Sequence, residues 1–114
     1  MKSIRRKSDG LEIARARIAD SFLSRFVGLI GIQHFNFGDG LYFPRCNSVH
    51  MWFMRISIDV IFLDRDGNVT STHTGLNPWR ALPVWDLRAR DALELPMGSV
   101  ARYSLRRGDT LCLD

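Results

Sequence analysis

The stretch from Cys46 to Thr70, CNSVHMWFMRISIDVIFLDRDGNVT, constrains the fold more than any other part of the chain. Both alternating faces of Ile58 to Leu63 are apolar apart from Asp59, which predicts a strand covered on both sides. The composition of Asp64 to Asn68 is typical of a tight reversal, so Val69 to His73 is expected to return as the hairpin partner.

Shorter strands are predicted wherever a brief apolar or alternating run is bounded by proline, glycine or polar residues. They are Leu11–Ala14, Leu41–Phe43, Val49–Met54, Ala92–Leu95 and Thr110–Leu113. A turn or a single helical turn is predicted from Pro96 to Tyr103. Gly75 to Trp85 has no clear period and predicts a long ordered loop held by its tryptophans.

One amphipathic helix is predicted at about residues 21–30, where apolar side chains recur at three-to-four spacing. Asp20 or Ser21 is placed to cap its first turn, and Gly31 to end it. Many short strands with one helix predict a mainly β fold, either a jelly-roll-like β-sandwich or a partly open barrel.

Length and composition predict one globular domain, because 114 residues with 46% hydrophobic and 25% charged side chains can bury a core. We expect residues 1–10 to form an N-terminal tail and residues 11–114 to form the domain. The tail lacks the apolar block of a secretory signal, and no stretch is long enough to span a membrane. A soluble, cytoplasmic protein is therefore expected. Two cysteines do not form a dense disulfide framework, and whether Cys46 and Cys112 pair stays open.

The charge balance is modestly basic, with 16 Lys and Arg residues against 12 Asp and Glu residues. All the cations except Lys2 and Lys7 are arginine, whose planar guanidinium suits phosphates and carboxylates. No module that reads nucleic acid accompanies these arginines, so solvated faces are expected and nucleic-acid binding is not.

A family pattern is visible between Val49 and Gly67, with support elsewhere in the chain. Its residues are His50, Met54, Arg55, Ile58, Asp59, Val60, Phe62, Asp64 and Gly67, supported by Gly28-Leu29, Asp39-Gly40-Leu41, Phe43-Pro44, Pro78-Trp79-Arg80, Leu93-Glu94-Leu95-Pro96, Gly98 and Gly108-Asp109. The chain resembles the bacterial and archaeal DUF192 domain from Leu11 to Leu113. That family is defined by sequence and has no assigned biochemical role.

The resemblance implies a compact β-rich sandwich of the jelly-roll type with a short helix, and it implies no reaction. We expect a bacterial source. Two positions depart from the family pattern: Ile30 stands where a methionine is usual after Gly28-Leu29, and Ser57 stands where a proline commonly precedes the Ile-Asp pair.

Asp59 is the one charged side chain in an otherwise apolar strand, and a buried carboxylate must find donors. Arg25, Arg55, Arg80 or backbone amides are candidates for that role. Two hypotheses follow. Asp59 is either an internal tie between sheet and loop, or the polar floor of a ligand pocket with His50, Arg55 and Arg80 around it.

Cys46, His50 and His73 suggest a metal site or a thiolate-imidazole pair. In an extended chain, however, Cys46 and His50 lie about 13 Å apart, too far to share one metal or one hydrogen bond. We therefore expect a packed thiol, no metal and no cofactor.

The sequence favours a non-enzymatic module that binds a small molecule or a protein partner. Its candidate ligand-binding residues are His50, Arg55, Asp59, Trp79 and Arg80. One alternative is a hydrolase or transferase that uses Asp59 and His50 as acid and base, and another is a structural or assembly component. Trp52, Trp79 and Trp85 either stack on a ligand or anchor the core and the loop, and anchoring is the expectation.

Overall fold

The structure is a computed structural model, and it describes residues 1–19, 35–51 and 55–114. Nine strands and one short helix lie in these ranges. The strands are β1 (Lys2–Arg6), β2 (Glu12–Ile18), β3 (Asp39–Phe43), β4 (Ser48–Val49), β5 (Ile58–Leu63), β6 (Val69–Leu76), β7 (Val84–Trp85), β8 (Asp91–Pro96) and β9 (Leu111–Leu113), and the helix is α1 (Ser99–Arg102). The predicted helix at residues 21–30 lies outside the described residues.

Seven of these strands form a single sheet in the order β6-β5-β8-β3-β2-β1-β9, and β4 pairs with β7 in a separate two-stranded sheet. Neighbouring strands are antiparallel, except that β2 and β3 run parallel. The large sheet curls into a half-barrel. The mainly β class is thus confirmed, and of the two predicted architectures the protein adopts the partly open barrel.

The two edge strands of the large sheet approach each other at one end, where the half-barrel closes. An isolated bridge joins Asn68 to Thr110, and the Thr110 hydroxyl donates to the Asn68 side-chain oxygen at 2.7 Å. The backbone amide of Leu111 donates to the carbonyl of Gly67 at 2.8 Å. The turn before β6 therefore takes the place of a strand-to-strand ladder in tying the sheet edges together.

The sheet packs on both faces, as the apolar run of β5 predicts. Alternate side chains of a strand point to opposite faces, and Val60 and Phe62 belong to a different buried cluster from Ile61 and Leu63. The first cluster includes Val49 and Val84 of the small sheet, and we call this side the β4–β7 face. The second cluster is packed by Val100 and Tyr103, and we call this side the α1 face.

Most of the predicted strands are confirmed. The structure contains β5 with the predicted bounds, the reversal after it and β6, and it contains β2, β3, β8 and β9 with ends shifted by a few residues. The predicted helical turn after Pro96 is α1. These elements were predictable because their hydrophobic period and their turn residues point to the same structure.

Two expectations about strands are wrong. Residues 2–6, expected in the N-terminal tail, form β1, which lies between β2 and β9 in the sheet. Its alternation was weak because only Ile4 is fully buried among polar neighbours. The strand expected at Val49–Met54 is also wrong where it is described: β4 ends at Val49, and residues 50–51 belong to no strand. Residues 52–54 lie outside the described ranges.

The loop expected from Gly75 to Trp85 is shorter, because β6 runs to Leu76 and β7 begins at Val84. Its tryptophans do not anchor it by burial. Trp79 is 90% exposed and Trp85 is 60% exposed. The expectation that these side chains pack in the core is therefore wrong for both, and Trp52 lies outside the described residues.

Two structural features bear on the expected cellular location of the chain, namely the state of its cysteines and the character of its helix. Cys46 and Cys112 are not joined by a disulfide. Within the described ranges, no helix combines the length and the apolar character that a membrane crossing needs. A cytoplasmic location stays a prediction.

Gly67→Ala is expected to destabilise the protein strongly. A β-carbon at position 67 would lie 2.3 Å from the carbonyl oxygen of Leu111, and the residue has a φ of +83°. The strain of a left-handed alanine and the clash with the backbone should together lower the free energy of unfolding by about 3 kcal/mol or more. Urea unfolding measures this loss.

Gly108→Ala is the matched control, because Gly108 has a φ of +96° but an added β-carbon there meets no atom within 4 Å. Strain alone should cost about 1 kcal/mol. Equal losses for the two variants would contradict the closure of the barrel through Gly67.

Candidate functional site

The carboxylate of Asp59 is fully buried and is held by backbone amides. Its Oδ1 accepts from the Gly75 amide at 2.9 Å. Its Oδ2 accepts from the amides of Gly98 and Val100 at 3.1 and 3.0 Å. Asp59 therefore joins the start of β5 to the end of β6 and to the first turn of α1. Of the donors considered, backbone amides supply these bonds.

The geometry does not bring Asp59 and His50 together. Asp59 shares the α1 face with Ile61, because both side chains project from the same side of β5. His50 follows β4, which packs on the β4–β7 face through Val49. A shared acid-base role for Asp59 and His50 requires both within about 3 Å of one substrate atom, and Asp59 is fully buried, with no exposed surface to meet a substrate.

The other predicted site residues lie in three places. His50 is half-buried, and Arg55 is exposed three positions before β5. Trp79 and Arg80 lie in the loop before β7 and are exposed. The predicted set is therefore distributed over the protein, and only Trp79 and Arg80 are neighbours in one surface segment.

A polar cluster joins β6 to the residues after β7, and its centre is Asp86. The Ser71 hydroxyl donates to Oδ2 of Asp86 at 2.7 Å. The Arg88 side-chain Nε and backbone amide both donate to Oδ1, at 3.1 and 3.0 Å. His73 Nε2 lies 3.2 Å from the Ser71 oxygen, and its ring packs edge-on against Phe62 at 5.5 Å between centroids.

Burial and hydrogen bonding act in opposite directions on the carboxyl group of Asp86. Burial raises its pKa, but hydrogen bonds from Ser71, Arg88 and Thr70 outweigh burial, so the pKa is well below the ordinary value. For His73, burial lowers the pKa, the positive charge of Arg80 lowers it further, and Asp86 partly opposes them. Asp86 is therefore charged and His73 neutral at pH 7.

The order of these contacts favours a structural role over nucleophilic catalysis. A hydroxyl has one proton, and Ser71 donates its proton to Asp86, so His73 Nε2 must donate to the Ser71 oxygen. In a nucleophilic triad the imidazole lies between the hydroxyl and the carboxylate and takes the hydroxyl proton. Here the serine lies in the middle, and the low pKa of Asp86 makes it a weak base.

The Asp86 cluster fixes the chain at residues 85–88. These residues end a longer stretch, residues 79–88, which we call the display segment. Four large apolar side chains of this segment are exposed: Trp79 by 90%, Leu82 by 70%, Trp85 by 60% and Leu87 by 83%. Single exposed apolar residues are ordinary, but four within nine positions form a feature that soluble proteins usually avoid unless it serves an interaction.

Two neighbours in the chain show how the segment is fixed. Asp86 lies between Trp85 and Leu87, and its backbone amide donates to the Asn47 carbonyl at 2.9 Å. Trp85 itself pairs with Ser48 in the small sheet. The apolar side chains of Trp85 and Leu87 are thus exposed although the backbone that carries them is hydrogen-bonded.

The sequence alone did not reveal the Asp86 cluster. Ser71 and His73 alternate on one face of a predicted strand, which is a usable signal. The partners Asp86 and Arg88 are 13 or more positions away in the sequence, and no local pattern pairs them with β6. Within the described part of the chain, no three His, Cys, Asp or Glu side chains lie close enough together to hold a metal ion.

Taken with the fold, these features define a curled β half-barrel that presents an anchored aromatic segment. The family model DUF192, described as an uncharacterized ACR, matches residues 4–113. The chain belongs to the DUF192 family.

Curated relatives carry the family name UPF0127 protein. One from Pyrococcus horikoshii is 42% identical over 99 residues, covering 83% of this chain and 84% of its own length. One from Thermococcus sibiricus is 37% identical over 101 residues, covering 85% of this chain but 64% of its own length. The chain therefore spans less than two thirds of that relative. Both relatives are archaeal, so they do not support the expected bacterial source.

Two crystal structures share the fold. A putative transcription regulator from Sinorhizobium meliloti has a TM-score of 0.84 at 21% identity and covers 99% of this chain and 94% of its own. A protein of unknown function from Novosphingobium aromaticivorans has a TM-score of 0.77 at 21% identity, with 95% and 90% covered. At this identity the likeness concerns architecture alone.

Asp59→Asn is expected to destabilise the protein by about 3 kcal/mol. The variant loses the charge that three amides stabilise, and it directs an amide group toward donors. Thermal and urea unfolding measure the effect. Asp66→Asn is the matched control, because Asp66 is exposed in the turn before β6, and a change below about 0.5 kcal/mol is expected. Similar stabilities of the two variants would contradict the tie.

His73 is expected to make stability fall as the pH is lowered. Its pKa in the folded protein is below the ordinary value of 6.5, so the unfolded chain binds a proton first. The contribution of His73 is complete above pH 6.5 and is lost as the pH falls toward the folded pKa. Urea unfolding of the wild type and of His73→Gln from pH 8 to pH 5 tests this. The difference in unfolding free energy between the wild type and His73→Gln should become smaller below pH 6.5. If the unfolding free energies of the two proteins changed in parallel with pH, the prediction would be wrong.

Proposed function

We propose that this chain is a binding module whose display segment docks a protein partner. The observation that carries the proposal is the exposure of Trp79, Leu82, Trp85 and Leu87 on one segment whose end, around Trp85 and Leu87, is fixed by Asp86. The proposal retains Trp79 and Arg80 from the predicted site. Asp59, which is fully buried, would support the fold without contacting the partner.

Anchoring of the segment supports this function because it reduces the cost of binding. Ordering a loop on association costs conformational entropy, and a segment already held in one conformation avoids much of that cost. Asp86 accepts from Ser71 and Arg88, and its amide donates to Asn47. The neighbouring apolar side chains would therefore meet a partner in a largely fixed geometry.

Residue type and charge indicate the chemistry of the partner. Tryptophan and arginine dominate the energetic centres of protein interfaces, and the display segment carries two of each, with Arg80 and Arg88 both exposed. Its one acidic side chain, Asp86, is buried. A partner surface that combines acidic and apolar side chains would complement it, with charge steering the encounter and apolar contact providing affinity.

Site-specific photo-crosslinking tests the proposal. p-Benzoylphenylalanine is placed at Leu82 in one sample and at the exposed Lys7, which lies outside the display segment, in another, in cells that naturally make the protein. We expect one discrete heteromeric adduct from position 82 and none of that mass from position 7. Added Trp79→Ala or Arg80→Glu should reduce the adduct about tenfold, because each removes an interface contact.

Three outcomes would overturn the proposal. They are no adduct from position 82, the same adduct from both positions, or an adduct whose mass is two copies of this chain. The last result would favour the assembly alternative, and sedimentation of the purified protein would then show concentration-dependent dimers. Native-like stability of each variant, checked by urea unfolding, removes misfolding as a cause of lost crosslinking.

A further inference from the structure

A groove separate from the display segment opens where β5 begins and β8 ends. Its volume is about 350 Å³, which lies in the lower part of the range of small-molecule sites. The groove is lined by Phe35, Asn36, Phe37, Ile56, Ser57, Pro96 and Met97. Phe37 is 47% exposed and Met97 is 56% exposed, so two of the apolar walls are open to a ligand.

Hydrogen bonds fix both sides of this groove. On one side, Asp59 accepts from the Gly98 amide next to Met97. On the other side, the Asp39 amide donates to the Asn36 carbonyl at 2.9 Å, and the Asn36 amide donates to the Asp39 carboxylate at 3.0 Å. These bonds close the turn that carries Phe37. The groove is therefore formed before any ligand arrives, as small-molecule sites usually are.

The ring of Phe37, which lines the groove, is stacked by the cation of Arg102, a residue beside the groove and not part of its lining. The guanidinium carbon of Arg102 is 4.5 Å from the centroid of the Phe37 ring. Stacking on a ring occupies the guanidinium face and leaves its N–H donors at the edge for a carboxylate. No acidic side chain in the described part of the chain forms a salt bridge with Arg102. Exposed Arg55, directly before Ile56, adds positive charge at this end of the sheet.

We propose that this groove binds a small amphipathic carboxylic acid. The apolar body of the ligand packs against Phe37, Ile56 and Met97, and its carboxylate accepts from the edge of the Arg102 guanidinium. The buried carboxylate of Asp59, which fixes one side of the groove, already accepts three amide protons and has no exposed surface to contact the ligand. This site goes beyond the docking surface and is independent of it.

Titration of the ¹⁵N-labelled protein with 4-phenylbutyrate tests the proposal, and the neutral 4-phenylbutanamide serves as the matched probe. We expect saturable shifts of the amide signals of Phe37, Ile56, Ser57 and Met97. The carboxylate should bind at least about tenfold more tightly than the amide, because a charge-assisted bidentate contact replaces a neutral one.

Arg102→Gln should abolish the preference for the carboxylate while binding of the neutral amide is retained. Arg106→Gln is the matched control, because Arg106 is an exposed arginine in the segment after α1, where its backbone amide donates to Asp109, and it should keep the full preference. Shifts that map outside the groove, equal affinities for the two probes in the wild type, or an unchanged preference in Arg102→Gln would each overturn the proposal. An unperturbed spectrum away from position 102 confirms that the variant is folded.

Discussion

The structure depends on one buried carboxylate near the start of an apolar strand. Asp59 accepts three backbone amides that come from the end of β6 and from the first turn of α1. An ionised group without such donors is costly to bury, so these three contacts are what allow Asp59 to be fully buried in β5. The same carboxylate holds the first turn of α1, and α1 packs Val100 against the buried cluster on the α1 face.

Local patterns predicted the elements next to Asp59 well. The apolar run of β5, the Asp-Gly-Asn reversal and the alternation of β6 each have a direct physical cause in the sequence. Asp59 stands out in the sequence because its charge breaks the apolar pattern, which suggests either an internal tie or the polar floor of a ligand pocket. The identity of its donors was not predictable, since Gly98 and Val100 are about 40 positions away and donate through the backbone.

The errors share one cause, which is tertiary contact without a local signal. β1 carries alternating basic and polar residues, and its membership of the sheet comes from pairing with β2 and β9. The parallel pairing of β2 and β3 joins strands separated by 20 residues. Trp79 and Trp85 were expected to pack because large aromatic side chains usually do. Trp85 is exposed on a backbone that pairs with Ser48 and leads directly into Asp86, whose contact with Ser71 of β6 no spacing rule reveals.

Both proposed surfaces rest on the same physical device, a buried carboxylate that fixes the backbone beside exposed apolar side chains. Asp86 does this for Trp85 and Leu87, and Asp59 does it for Met97. Exposed apolar groups on a mobile loop would favour nonspecific association, whereas the same groups on a fixed backbone present one shape and can select a partner. The carboxylates would therefore contribute to recognition without touching what is recognised. Loss of either one should weaken specificity through geometry, even where the contacting side chains are unchanged.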